Sequence, residues 1–303
     1  MKPRWDILGL GAVAVDDLIY VDHYPAPDSK IRAQARKRQG GGLTGTALVT
    51  AARLGARPAY YGILGRNELS RYTLKELEQE GVDCSAVEYQ ETAEPFHSTI
   101  VVVQPTAQRT VFSFAKGVVP VRAENITAAL ITRSQLLLVD HTVVEAALAA
   151  VEIARRHQIP VVADIEAERH PGVYDLMAQI DHLILGIKFA RHVTGQNAPE
   201  KVVRALARAN RACTAVTVGE HGCWYAQGSG EVRHVPAFPI QAVDTTGCGD
   251  VFHGAYAAGL VKGQTIDRCI QIASAAAALK ATHPGGRGGI PTWETVEQLI
   301  GSA

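Results

Sequence analysis

The chain carries no excess charge of either sign. Thirty Lys and Arg offset thirty Asp and Glu, and Arg36-Lys37-Arg38 is the one cluster of like charge that stands out. A neutral chain without a basic stripe argues against nucleic acid as a partner, and the small cluster reads as a solvated strand end. Cysteine is sparse and unpaired in pattern. The five (Cys84, Cys213, Cys223, Cys248, Cys269) are odd in number and scattered, with no C-x-x-C spacing. That excludes a disulfide framework or a zinc site and points to a reducing compartment. No segment approaches a membrane span, and the N-terminal stretch shows no cleavage pattern. A cytoplasmic, soluble protein with no membrane partner is the expectation. Aromatics are only 6%, which weighs against a site built to stack heterocycles.

What is present suits an ordinary globular protein: 303 residues, 47% hydrophobic and 20% charged, enough for a substantial core. Short apolar runs alternate with helical patterns. Strands are expected at Ile7–Ala14, Ala59–Ile63, Gln135–Val139, Val161–Asp164, His182–Leu185 and Ala215–Val218. Helices are expected at Thr44–Leu54, Leu69–Glu80, Val143–His157, Gly172–Ala178, Pro199–Ala209, Val251–Leu260 and Ile266–Ala281. This alternation predicts βαβ units around a mostly parallel sheet, an α/β fold. Val15–Gln39 and Phe96–Phe114 break the rhythm as extended segments that can pair in a small separate sheet. A β-lid over a cleft would exclude water from a reaction.

The most informative string is Asp244-Thr245-Thr246-Gly247-Cys248-Gly249-Asp250, followed by the helical pattern VFHGAYAAGL. Small residues at a helix N-terminus present free N–H groups to an anion, and Asp250 stands beside them. A positioned base beside preorganised donors is what phosphoryl transfer to an alcohol needs. A lone GxGD is more often only a charged helix start. The whole string, however, closely resembles the second signature of the ribokinase/PfkB family of carbohydrate kinases, D-T-x-G-A-G-D, with Cys248 in place of Ala. The resemblance implies Asp250 as catalytic base and the amides of Gly247, Cys248 and Gly249 as an anion hole. Cys248 itself reads most simply as a small residue in a crowded turn.

A second glycine-rich entry to a helix, Gly40-Gly41-Gly42-Leu43-Thr44-Gly45-Thr46, lacks the Lys of a P-loop. With the later R-L-G and G-V-D it resembles the family's first signature. That implies Gly41 and Gly42 as the place where sugar meets backbone, with Thr46 where the family usually has Asn. Gly9-Leu-Gly11-Ala-Val-Ala14 fits a loose dinucleotide fingerprint, yet no helix follows, so the better account is a tight strand exit. By resemblance Asp16 accepts hydrogen bonds from sugar hydroxyls, a task that suits a carboxylate. Asp28 and Lys30 resemble substrate-contacting lid residues. Arg109 resembles a lid arginine that neutralises the transferred phosphoryl group.

On the nucleotide side the resemblance implies Thr217, Gly219, Glu220 and Gly222 in one turn, and His283 and Gly285 in the loop after Ala275–Ala281. In ribokinase-like members that loop, with Asp244 and Thr246, forms a monovalent-cation site, which brings K+ into consideration beside ATP and Mg2+. The family's N-x-x-E before L-T-G is absent. Gly186-Ile-Lys-Phe189 stands there, and Lys188 offers a phosphate contact. Magnesium would then be held mainly by ATP and its waters.

The resemblance spans essentially the whole chain, nearest the branches of sulfofructose kinase and ketohexokinase. It implies a ribokinase-like α/β fold with a β-lid: core 1–14, 40–95 and 117–303, lid 15–39 and 96–116. It implies an ATP-dependent kinase acting on a hydroxyl, primary in our reading, of a ketose, aldose or sugar acid, and a homodimer through the lid. Ser113 and Thr142 stand where a sulfosugar kinase would offer Asn and Arg, which argues against a sulfosugar. The alternatives are a nucleoside or hydroxymethyl-heterocycle kinase of the same fold, or a non-catalytic sugar or nucleotide sensor.

Overall fold

The structure, a computed structural model, describes residues 3–106 and 108–302. Residues 1, 2, 107 and 303, which fall in the segments assigned above to core and lid, lie outside the described residues. The strands are β1 (Trp5–Leu10), β2 (Ala14–Val21), β3 (Ala35–Gly41), β4 (Pro58–Tyr61), β5 (Ile63–Leu64), β6 (Glu88–Tyr89) and β7 (Phe96–Val103). They continue with β8 (Gln108–Phe114), β9 (Ser134–Asp140), β10 (Val161–Asp164), β11 (His182–Gly186), β12 (Cys213–Thr217), β13 (Cys223–Ala226) and β14 (Arg233–Val235). The helices are α1 (Leu43–Arg53), α2 (Glu68–Gln79), α3 (Ala128–Ile131), α4 (Val144–Arg156) and α5 (Val173–Gln179). After them come α6 (Ile187–Thr194), α7 (Pro199–Leu206), α8 (Cys248–Val261), α9 (Ile266–Ala281) and α10 (Trp293–Gly301).

The main sheet has eight strands in the order β14-β13-β12-β11-β10-β9-β1-β4. It is parallel from β4 to β12 and closes with an antiparallel edge, β12-β13-β14. Its strands are apolar on both faces because helices cover both. Ile7, Leu136, Leu138, Val162 and Ile184 pack with Leu48 of α1, Leu77 of α2, Val251 of α8, Ile270 of α9 and Val296 of α10. The alternate residues Leu8, Leu137, Val139, Ala163 and Leu185 pack on the other side, with Val151 of α4, Leu176 of α5 and Val203 of α7. A separate four-stranded sheet, β3-β2-β7-β8, is built from the two extended segments, with β2 and β7 parallel and its other pairs antiparallel.

Three expected elements end elsewhere. The strand expected at Ile7–Ala14 stops at Leu10 and re-forms at Ala14 in the second sheet. The turn between them is pinned by Asp140, whose Oδ2 accepts the Ala12 N–H at 2.6 Å. The helix expected from Val251 begins at Cys248, because Gly247 takes the left-handed cap position (φ 77°) one residue before it. The helix expected through Ala209 ends at Leu206. Arg211 takes the freed carbonyl of Leu206, together with those of Ile180 and Met177. The β13–β14 hairpin, α6 and α10 had not been assigned.

Candidate active site

Parallel sheets offer their binding crevice at the carboxyl ends of the strands. Here β9 ends in Asp140 and β10 in Asp164, with Glu166 two residues on. Helix α8 crosses above them, and its first turn brings Asp250 into the group. Carboxylate oxygens of Asp164, Glu166 and Asp250 lie within 4.8 Å of one another. Burial, then the charges of Asp164, Glu166, Asp16 and Asp140, push Asp250 well above the ordinary carboxylate value. Asp164 is raised in the same way, by burial and then by Glu166 and Asp140. A carboxylate whose proton affinity is raised and which keeps partial exposure is suited to take a proton from an alcohol.

The turn before α8 is constrained on several sides. A β-carbon on Gly247 would meet Gly286 O at 2.4 Å, so close backbone contact as well as its φ restricts this position to glycine. Among the described residues, the N–H groups of Gly247, Gly249 and Asp250 have no protein acceptor, whereas Cys248 N donates to Thr245 O at 3.3 Å. The open donors are therefore 247, 249 and 250 rather than the three amides 247–249 expected from sequence. The Cys248 thiol lies 3.5 Å from Ala277 O, and burial pushes it up to about 11, in keeping with a packing residue. One turn along α8, buried His253 bonds Gly249 O through Nδ1 (2.8 Å) and Ile184 O through Nε2 (3.1 Å). It ties the turn to β11.

The residues expected by resemblance to meet a sugar, Asp16, Gly41, Gly42 and Thr46, lie together. Asp16 of β2 is buried at 8% exposure, and a β-carbon on Gly41 would lie 2.0 Å from its Oδ2. Burial raises Asp16, while Ser98 and Arg287 act to lower it. Gly42 caps α1 with φ 85°. Thr46 is buried in α1, and its hydroxyl lies 3.4 Å from Arg287 Nε. Arg287 Nη2 also donates to Gly41 O at 2.9 Å, which ties the C-terminal loop to the glycine segment. From β8, Arg109 reaches down to place Nη1 3.2 Å from Thr245 Oγ1.

Other expected residues stand apart or play another part. Asp28 and Lys30 are exposed on the β2–β3 loop and make no side-chain hydrogen bond among the described residues. Lys188 is exposed in the first turn of α6. Thr217 ends β12, and Gly219, Glu220 and Gly222 form the turn into β13. His283 is exposed, with Nδ1 2.9 Å from Thr282 Oγ1. Gly285 N donates to Asp244 Oδ2 and Thr246 N to Asp244 Oδ1, each at 2.8 Å. Burial opposes ionisation of Asp244, but these bonds and Lys280 outweigh it, and its pKa is lowered.

Sequence reasoning missed Asp140, Asp164, Glu166, Lys280 and Arg287. A signal existed for two of them: Asp140 and Asp164 each terminate an apolar run (LLLVD, VVAD), where a strand of a parallel sheet delivers residues to the crevice. For magnesium the donor set fits. It is all carboxylate oxygen, as a hard cation prefers, and buried Asp164 Oδ2 makes no well-aligned hydrogen bond, with His253 Nδ1 3.2 Å away already spent on Gly249 O.

Comparison with known proteins gives the family and the fold. The chain matches the pfkB family of carbohydrate kinases over residues 8–293. It is 27% identical to ribokinase of Bacillus subtilis, over 97% of this chain and 99% of that protein. It is 24% identical to ketohexokinase of Mus musculus, over 92% and 97%. A crystal structure of a putative ribokinase from Agrobacterium tumefaciens superposes with a TM-score of 0.91 at 27% identity, covering 98% of each chain. With its ribokinase-like α/β fold, this chain belongs to the pfkB family of carbohydrate kinases, which are ATP-dependent phosphotransferases.

Proposed function

We propose that the protein transfers the γ-phosphoryl group of ATP to a primary hydroxyl of a ketose, aldose or sugar acid. The observation that carries this reading is the placement of Asp250. It is a carboxylate of raised proton affinity in the first turn of α8, beside the amides of Gly247, Gly249 and Asp250, which have no acceptor among the described residues. Asp250 takes the hydroxyl proton as the oxygen attacks phosphorus, and the amides receive the transferred group. Asp16, Gly41 and Gly42 orient the sugar. Arg109 adds positive charge as the β2-β3-β7-β8 sheet covers the crevice, the lid role proposed for it. ATP lies along the Gly219–Gly222 turn and the 283–289 loop, with Lys188 near its phosphates.

Asp164 and Glu166, which stand beside Asp250, would hold the magnesium that accompanies ATP, which neutralises charge on the phosphates, and Asp250 is left to take the proton. Named relatives act on different sugars, among them ribokinase, ketohexokinase and 5-dehydro-2-deoxygluconokinase, so the sugar is left as a class. The test is ADP production across ketoses, aldoses, sugar acids and nucleosides, in wild type and in Asp250→Asn. A sugar-dependent signal lost in the variant supports the reading. A nucleoside-only signal moves it to the nucleoside kinases, and ATP binding without turnover on any acceptor moves it to a sensor.

The enzyme is proposed to work in the cytoplasm as a homodimer through the second sheet. Phe112 (45% exposed) and Phe114 (53%) share the face of β8 opposite Arg109. A monomeric mass by light scattering at working concentration would remove the dimer.

A further inference from the structure

Potassium is the one ion suggested by resemblance for which the structure supplies a competitor from its own chain. A monovalent cation needs several oxygens, typically carbonyls, to replace its water shell. Asp244 is already engaged by the chain itself, and an ammonium on its carbonyl repels a second cation there. Both of its carboxylate oxygens accept backbone N–H groups, from Thr246 and Gly285. Its carbonyl oxygen accepts from Lys280 Nζ at 2.7 Å. Thr246 Oγ1 is buried without a partner, and a single neutral hydroxyl is a poor cage for an ion.

Lys280 is placed for this by the fold. It lies in the last turn of α9 at 0% exposure, where the negative end of the helix dipole favours a cation. The residue after it, Ala281, accepts the N–H groups of Val243 (2.7 Å) and Asp244 (3.1 Å) through its carbonyl. The whole catalytic turn thus hangs from the end of α9. Burial and, less strongly, Arg109 work against the charge of Lys280, while Asp244 and Asp250 work for it.

We propose that the Lys280 ammonium occupies the place of a monovalent activator: tethered beneath the Asp244–Asp250 turn, it holds the anion-binding amides in position and makes the enzyme independent of potassium. A compact ammonium with three donors on a flexible stem can do what a bound ion does for backbone oxygens. Unlike an ion, it does not dissociate. Lys280 is therefore a positioning residue, acting on the phosphoryl group only through the turn.

This inference rests on the kinase reading, and its test separates the two. Turnover with the best sugar is measured for wild type in potassium, sodium and choline chloride, and again for Lys280→Met and Lys280→Ala. Wild type is expected to be equally active in all three salts. The variants are expected to lose about 100-fold or more in choline, the scale of a lost oxyanion donor, and to regain most of it with potassium or ammonium. Thermal unfolding gives a readout independent of activity: the melting temperature of the variants rises by several degrees in potassium over choline, while that of wild type does not.

A wild type stimulated several-fold by potassium would overturn the proposal. So would variants that work as well as wild type in choline, or that show neither rescue nor a potassium-selective thermal shift. If neither variant folds, the wild-type salt comparison decides alone. Failure of every sugar in every salt would strike the kinase reading and leave the thermal shift to judge Lys280.

Discussion

Asp16 Oδ2 and the α-carbon of Gly41 are so close that a β-carbon on Gly41 would sit 2.0 Å from that oxygen. The pairing of β2 with β3 sets Asp16 opposite Gln39 and Ala14 opposite Gly41, so the carboxylate leans over the glycine on one face of the sheet. An alanine at 41 must displace the end of Asp16. Gly41→Ala is expected to raise the KM for sugar about tenfold or more with a smaller change in kcat, since the lost contact is made in ground and transition states alike. A sugar titration at saturating ATP checks it. An unchanged KM would remove Asp16 from the sugar site.

Asp250 carries a separate prediction, one for pH. As the base it must be ionised, and burial with its acidic neighbours raises its pKa. The acid limb of kcat/KM should therefore lie well above the ordinary carboxylate range, with activity lost as pH falls through it. Asp250→Asn should reduce kcat by about 100- to 10,000-fold, the usual worth of a positioned base, with sugar affinity nearly unchanged. Equilibrium binding of the sugar alongside a pH–rate profile tests both parts. Near-normal turnover in the variant would refute the assignment.

The same crowding has a thermodynamic cost. Because the folded state binds this proton more tightly than the unfolded chain, the stability linked to it is greatest in acid, below the ordinary carboxylate value. It is lost as pH rises through the raised folded value. Asp250→Asn removes a like charge from beside Asp164 and Glu166. It should thus be more stable than wild type at pH 8 by about 0.5–2 kcal/mol, a common trade between function and stability. Magnesium should stabilise wild type more than the variant, because it pairs with the same carboxylates. Melting curves at pH 5 and pH 8, with and without magnesium, read this directly. A variant less stable than wild type at pH 8 would contradict it.

Among the described residues, Arg109 makes one side-chain hydrogen bond, across to Thr245, and is otherwise exposed on β8. Arg109→Ala should therefore leave the melting temperature within the small range of surface changes, while kcat falls by about 10- to 1,000-fold. Arg109→Lys should recover little, because a point charge lacks the planar fork. Equal loss of stability and activity would make Arg109 a structural strut instead.

Much of this could be read locally. Burial on both faces leaves an apolar run, so β1, β9, β10 and β11 announced themselves, and α9 was placed residue for residue at Ile266–Ala281. The hairpin β13–β14 was not, because CWYA is an apolar run of only four residues among glycines and RHV is short and mostly exposed. Likewise, α10 is nine residues long, and its stripe of Trp293, Val296, Leu299 and Ile300 is too short to stand out from a turn. In the site, glycine strings flagged Asp250 and Gly41, since close backbone approach needs glycine and the need is local. Asp28 and Lys30 rest on resemblance alone, with no local pattern behind them, and the loop carrying them is exposed.

The sequence alone determined the alternation of strands and helices, the place of the anion-binding turn and the acid that follows it. Each of these depends on neighbours within a few residues, through periodicity, capping or a glycine's freedom. Tertiary structure alone decided which carboxylates gather around Asp250 and that Lys280 reaches Asp244. Those contacts join residues 36 to more than 80 positions apart. A chain's local pattern records how each segment buries itself, but not which charged group the fold will set beside another.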